Sequence, residues 1–337
     1  MKIEIKKTVK NFKMSIFDKR ETIKPYEYPN LIQYGKAIQK SYWIVDEYNF
    51  TNDIQDFETK CTEYEKGIIE RTMLAIAQIE VKVKQFWGDI YKRMPKPEIG
   101  IVGSIFSESE SRHLMAYSEL LTLLRLDEKF EKLNDIKEIK GRINYLSKYL
   151  DGTRSKDNKL YTKSLMLFSL FIEHVSLFSQ FLIMQSFNKH KNIMSGFSNV
   201  VDATMQEENL HGIFGIEIVN IIRNEYPDFF DEELNSIITS ACIKAYKAEE
   251  EIIDWIMDNQ DLPFLKRDEI KEFIKNRFNN SLESCGFNKV FEIDNKLIEN
   301  TSWIELQLNS SKEDDFFYKR STEYSKFSKP VIIDELF

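Results

Sequence analysis

Residues 106–124, FSESESRHLMAYSELLTLL, and residues 201–218, VDATMQEENLHGIFGIEI, each carry a Glu-x-x-His run: Glu110-Ser-Arg-His113 in the first, Glu208-Asn-Leu-His211 in the second. A step of three residues is most of one helical turn, so in each run the carboxylate and the imidazole leave the same face of a helix and can reach one small object. The apolar positions make that face the inward one. Phe106, Glu110, His113, Tyr117, Leu120 and Leu124 advance by alternating threes and fours, as do Val201, Thr204, Glu208, His211, Gly215 and Ile218. An ionised carboxylate on a buried stripe is costly unless it is paired or coordinates a cation, and neither stripe holds a Lys or Arg. The object is expected to be a metal.

Two further segments supply what such a pair of motifs still needs. Between Arg71 and Gly88 the one acid is Glu80, on a face shared with Met73, Ile76, Val83 and Trp87; from Asn158 to Phe187 it is Glu173, among Met166, Leu170, Leu177, Phe181 and Met184. Taken singly, a Glu-x-x-His run reads as a coincidence and a lone core acid as a hydrogen-bonded one. Jointly, four glutamates and two histidines on four helices are the set by which ferritin-like four-helix bundles hold a carboxylate-bridged metal pair. Four carboxylates also balance two divalent ions. Glu108 points away from Glu110, His174 is rotated about 100° from Glu173, and His190 sits between lysines; all three read as solvated or structural.

Composition agrees. Of 337 residues 42% are hydrophobic and 13% aromatic, with only 11 Gly and 7 Pro, so the chain can bury a large core and is poor in turn formers. The expected class is all-α, a ferritin-like four-helix bundle with additional helices. The breaks at Pro95, Pro97, Gly152, Gly196, Pro227 and Pro263 predict helices at roughly 56–92, 98–126, 129–150, 158–187, 197–225, 230–259 and 264–281, preceded by a short segment around Tyr34 to Trp43. Residues 1–30 read as an extended start, 31–300 as the dimetal-carboxylate domain, and 301–337, where periodicity decays, as a flexible tail. Its last residues, Val331 to Phe337, are apolar with two acids, a composition suited to docking into a partner. Phe106, Phe168, Phe171, Phe178, Phe181 and Phe214 are expected to pack the core.

A net charge of −8 with mixed signs speaks against a nucleic-acid surface, and no run of 18 apolar residues or signal-peptide region points to a membrane. Cys61, Cys242 and Cys285 lack metal-ligand spacing and are odd in number, which suits reduced thiols and a cytoplasmic location.

The order Trp43, Glu80, Glu110-x-x-His113-x-x-x-Tyr117, Glu173, Glu208-x-x-His211, then Tyr324 near the end, resembles the small, radical-generating subunit of class I ribonucleotide reductase over nearly the whole chain. The resemblance implies that Glu80, Glu110 and His113 bind one metal and Glu173, Glu208 and His211 the other, with bridges among Glu110 and Glu208. It implies an iron pair, a manganese pair or one of each, which activates an oxygen species and yields a stable one-electron oxidant. That oxidant is Tyr117 as a radical or the metal pair itself; packing is the ordinary alternative role for a buried tyrosine. Trp43 matches the family's relay tryptophan, and Glu207 stands where an Asp commonly links that tryptophan to the position of His113. Tyr324, with Tyr318 as fallback, matches the tyrosine that passes the radical to the large subunit, where a ribonucleotide becomes a deoxyribonucleotide. A homodimer is implied. The competing reading is a ferritin-like oxidase or hydroxylase acting on a bound organic substrate; metal storage is a third.

Overall fold

The computed structural model describes residues 15–315. Among these the chain is helical, and no strand forms beyond one bridge between Leu262 and Leu265. In order the helices are α1 (Ile32–Lys40), α2 (Thr51–Thr59), α3 (Glu63–Asp89), α4 (Pro97–Leu123), α5 (Asp127–Glu131), α6 (Lys137–Leu150), α7 (Asn158–Leu167), α8 (Phe178–Lys191), α9 (Ser195–Glu225), α10 (Glu232–Ile256), α11 (Arg267–Ser284), α12 (Asn295–Glu299) and α13 (Ser302–Asp315). Between α7 and α8 the chain winds as a π-helix over Phe168–Ser176. Helices α3, α4, the α7–π–α8 rod and α9 pack as the central bundle, with α6, α10 and α11 against its outer side.

Local chemistry sets several ends. Thr62 and Glu65 form a reciprocal capping box: the Thr62 hydroxyl accepts from the Glu65 N–H at 3.3 Å, and Glu65 Oε2 accepts from the Thr62 N–H at 2.8 Å. Pro97 opens α4 at a position whose N–H would have no partner anyway. Asp157 and Asp231 cap α7 and α10 by accepting from the N–H groups of Leu160 and Leu234. The capping box corrects the expected helix from residue 56, because the chain stops at Thr59 and restarts after Thr62. The expected helix 129–150 is likewise divided into α5 and α6.

Close approach of the rods depends on missing side chains. A Cβ on Gly103 of α4 would lie 2.5 Å from the Trp87 carbonyl oxygen of α3, so only glycine admits this spacing. The six phenylalanines assigned to the core are fully buried. The rod Asn158–Lys191 is long and apolar enough to cross a bilayer, yet almost all of its most apolar window is enclosed by the other helices. Protein is its surrounding medium.

Residues 15–31 run as irregular chain with turns at 16–17 and 29–31, held by Glu225 accepting from the Ile16 N–H at 2.8 Å and Glu98 accepting from the Glu27 N–H at 2.7 Å. Residues 302–315, assigned to an unstructured tail, form α13, because Ile304 and Leu308 bury fully and Gln307 donates to Asp202 of α9 at 2.6 Å. Residues 1–14 and 316–337, including Tyr318, Tyr324 and the Val331–Phe337 cluster, lie outside the described residues.

Behind the bundle, Arg142 of α6 and Glu249 of α10 are both fully buried, 3.7 Å apart, with Tyr145 donating to Glu249 at 2.6 Å. Glu249→Leu should leave a buried guanidinium without its counter-charge and cost about 3–5 kcal/mol, whereas Arg142→Met with Glu249→Leu should recover most of that loss. Urea unfolding of the two variants checks this. A double variant as unstable as the single one would refute it.

Candidate metal centre

Each rod contributes one corner. Glu80 comes from α3, Glu110 and His113 from α4, Glu173 from the π segment, and Glu208 and His211 from α9. All six sequence-derived donors converge at the centre of the bundle and are at most 1% exposed. They form two groups: Glu80, Glu110, His113 and Glu208, then Glu110, Glu173, Glu208 and His211. Within each group one donor atom per residue lies within 4.8 Å of every other. Glu110 and Glu208 belong to both, the positions bridging carboxylates would take.

The hydrogen bonding shows what such a cluster lacks. Both oxygens of Glu80, Glu110 and Glu173, one of Glu208, and the Nδ1 atoms of His113 and His211 are buried without a hydrogen-bond partner. His113 Nδ1 is 2.9 Å from Glu208 Oε1 and His211 Nδ1 is 3.0 Å from Glu110 Oε1, but neither contact has hydrogen-bond geometry. The far ring nitrogens are engaged. His113 Nε2 meets Glu207 Oε2 at 2.8 Å, and His211 Nε2 meets Ser109 Oγ at 3.0 Å. The Ser109 hydroxyl donates to the Phe106 carbonyl at 2.8 Å, so it must accept from His211 Nε2–H. The carboxylate of Glu207 likewise accepts from His113 Nε2–H. Nδ1 of each ring is therefore the atom that faces the carboxylates, and once deprotonated it offers the lone pair that a metal-binding histidine needs. Oxygen-rich sites with one imidazole each suit iron and manganese.

The electrostatics agree. Burial pushes the Glu80, Glu110 and Glu173 carboxyl groups above their ordinary range, and the Glu208 carboxylate adds to the rise. Glu208 moves the opposite way: burial opposes its charge, but the two imidazoles beside it more than offset that and hold it low. Burial disfavours the protonated imidazoles, yet the surrounding carboxylates lift both histidines well above their usual value. Without a cation the cluster thus retains protons.

One side of the cluster is walled by aromatic rings. The Phe106 ring lies 4.1 Å from His211, and Trp87 and Phe214 close over Phe106 at 5.3 and 5.0 Å between ring centres. On the other side Trp43, 4% exposed, stacks on His113 at 5.9 Å with 15° between planes. Tyr117 is fully buried one turn beyond His113. The Glu80 carboxyl group and the Thr204 hydroxyl lie close enough to act on it, and burial foremost raises its phenol well above the ordinary value. Thr204 gives its proton to the Val200 carbonyl, so toward the phenol it can only accept.

Two residues that sequence spacing missed complete the surroundings. Ser109 orients His211, and Arg112, 6% exposed, binds the Glu207 carboxylate at 3.1 Å and the Trp43 carbonyl at 3.2 Å while its guanidinium lies 5.4 Å from the Trp43 ring. The expected Trp43–Glu207–His113 link is therefore half made. Glu207 holds His113, but its other oxygen is drawn to Arg112, and Trp43 Nε1 has no hydrogen-bond partner. Arg112 fills the middle of the Glu110-Ser-Arg-His113 run, where a cation would ordinarily be read as solvated. Of the residues set aside, Glu108 is half exposed and pairs with Arg112, His190 stacks on Phe264, and His174 bonds Ser281.

Residues 20–297 match the family described as "Ribonucleotide reductase, small chain". The chain belongs to that family. It is 25% identical over 329 residues to the probable ribonucleoside-diphosphate reductase small subunit of Invertebrate iridescent virus 3, covering 92% of this chain and 85% of that one. The fold matches a dimanganese(II) protein from Streptococcus sanguinis with a TM-score of 0.73 at 16% identity, over 87% of this chain and 99% of that one. It also matches an R2-like ligand-binding oxidase with a Mn/Fe cofactor, TM-score 0.67 at 16% identity, over 78% and 94%. The ribonucleotide reductase small chain is an oxidoreductase subunit, and the buried donor cluster on its helical bundle is the feature that such chemistry requires.

Raised native values on Glu80, Glu110, Glu173, His113 and His211 favour the metal-free fold at low pH, and this contribution is lost as pH rises through them. Glu208 alone runs the other way. Metal binding needs the same groups deprotonated, so its stabilisation grows with pH. The melting-temperature gap between manganese-loaded and metal-free protein should widen between about pH 6 and pH 8. Melts at fixed Mn²⁺ check this, and a constant gap would contradict it.

Proposed function

We propose that this chain is the radical-generating small subunit of a class I ribonucleotide reductase, working with a separate large subunit that reduces the nucleotide. The observation that carries this reading is the juxtaposition of the shared-carboxylate cluster with a buried tyrosine one turn beyond His113 and a tryptophan stacked on that histidine. Glu80, Glu110, His113 and Glu208 would hold one ion, and Glu110, Glu173, Glu208 and His211 the second. When bound, the ion pair, iron, manganese or one of each, supplies a one-electron oxidant generated with an oxygen species.

The residues do the rest. Tyr117 is placed to store the oxidising equivalent, and burial keeps water and solutes from quenching it. Loss of an electron from a phenol releases its proton, and the Glu80 carboxylate is the nearby base that could take it once ionised. Trp43, stacked on His113 and stabilised by Arg112, is the relay between the cluster and the outside. Ser109 and Glu207 hold the imidazoles in orientation.

The carboxy-terminal residues, with Tyr324 and the apolar Val331–Phe337 cluster, are assigned the contact with the large subunit on sequence grounds. Ile101 and Met115, fourteen residues apart, share an exposed face of α4 on which a second copy would pack to give a homodimer. The three cysteines are buried and unpaired, which supports a cytoplasmic location.

Tyr117→Phe should abolish any tyrosyl signal in electron paramagnetic resonance after aerobic reconstitution, with metal content unchanged. Persistence of that signal would remove Tyr117 from the mechanism. Deleting residues 325–337 should leave the metals in place yet bring nucleotide reduction with the large subunit to background. Full turnover by the truncated chain would end the docking assignment of these residues.

A further inference from the structure

Glu173 is the one donor that does not sit on an α-helix. The π-helical segment that carries it, Phe168–Ser176, ends three residues later, and the His174 carbonyl lies in its last turn. That carbonyl is met from α11. Arg277, 2% exposed, donates to it twice, from Nε at 3.0 Å and from a terminal nitrogen at 2.8 Å. Its guanidinium lies 3.4 Å from the centre of the Phe178 ring, at the first residue of α8, and its other terminal nitrogen pairs with Glu305 of α13 at 2.6 Å. Ser281, one turn along α11, bonds the His174 ring. On the opposite side, a Cβ on Gly212 of α9 would lie 2.9 Å from His174 Cβ, so the segment is pressed against the residue that follows His211.

A fully buried cation that spends two of its donors on a backbone carbonyl is costly, because burial works against its charge, and among the described residues the carboxylate that pairs with it is the partly exposed Glu305. A hydrophobic residue would fill the same volume with less penalty. What only a planar guanidinium supplies is two parallel donors to one carbonyl together with a stack on the adjacent ring.

We propose that Arg277 is a positioning residue for Glu173: it fixes the π turn, and hence the Glu173 carboxylate, against His211, and through Glu305 it ties that half of the cluster to α13. The proposal rests on the two-ion reading of the site. It is specific to the Glu173–His211 half, since Glu80 and His113 stand on α3 and α4, whereas the hydrogen bonds of Arg277 go to the π segment and α13 and its nearest ring is Phe178 of α8.

The test uses the full chain in two measurements. In metal-free protein, hydrogen exchange of amides 169–177 should speed up at least tenfold in Arg277→Gln, with α3 and α4 unchanged. In Mn²⁺ titration followed by the signal of free manganese, wild type should take two ions per chain. Arg277→Gln should bind the second at least tenfold more weakly and the first within twofold of wild type. Arg277→Lys, which keeps charge but loses the paired donors, should fall between, and Glu305→Gln, a milder change at a partly exposed position, should weaken the second ion about threefold. Unaltered exchange in 169–177, or equal weakening of both ions, would overturn the proposal. If wild type binds no manganese pair, the site reading fails instead, and the exchange result still decides whether Arg277 holds the turn.

Discussion

Four carboxylates brought to the middle of a helical bundle are the constraint around which this molecule is arranged. The effective cost of removing an ion from water is several kcal/mol, and a domain of this kind has a net stability of only about 5–15 kcal/mol. Glu80, Glu110, Glu173 and Glu208 cannot all be ionised there uncompensated. Protonation relieves this, the direction in which burial drives the Glu80, Glu110 and Glu173 carboxyl groups, and two divalent cations would relieve it by neutralisation. Both oxygens of Glu80, Glu110 and Glu173, one of Glu208 and both Nδ1 atoms make no hydrogen bond that would compete with a metal.

That constraint propagates outward. Because the inner donors are committed to each other, orientation has to come from a surrounding layer: Glu207 and Ser109 on the far imidazole nitrogens, Arg112 on Glu207, and the aromatic wall of Phe106, Trp87 and Phe214. The rods must also approach closely enough for glutamate side chains to meet, and glycines at 103 and 212 permit it. The same bundle supports reductase subunits and ligand-binding oxidases, so the fold narrows the chemistry without choosing it. The choice depends on Tyr117, Trp43 and the carboxy-terminal residues.

The Glu207 carboxylate reaches both His113 and Arg112, and the tryptophan is held by ring stacking and by its carbonyl rather than through its indole N–H. Trp43 therefore meets the cluster at the face of the His113 ring.

The sequence alone determined the helical class and the six donors, because helical periodicity and the free-energy penalty of a buried charge are both local properties: an acid on an apolar stripe identifies itself wherever the stripe goes. It also held the capping box at Thr62 that ends α2, a signal in plain view. Tertiary structure decided the remainder. The rod from Asn158 to Lys191 is buried on all sides, so its pattern carries no phase, and only packing against α9 and α11 reveals the π turn at Glu173. Ser109 and Arg112 gain their roles from partners about a hundred residues away on α9, Arg112 also from Trp43 ahead of the bundle, and α13 forms because Asp202 and Arg277 wait for it across the fold. Long-range pairing of this kind leaves no periodic trace in the chain that makes it.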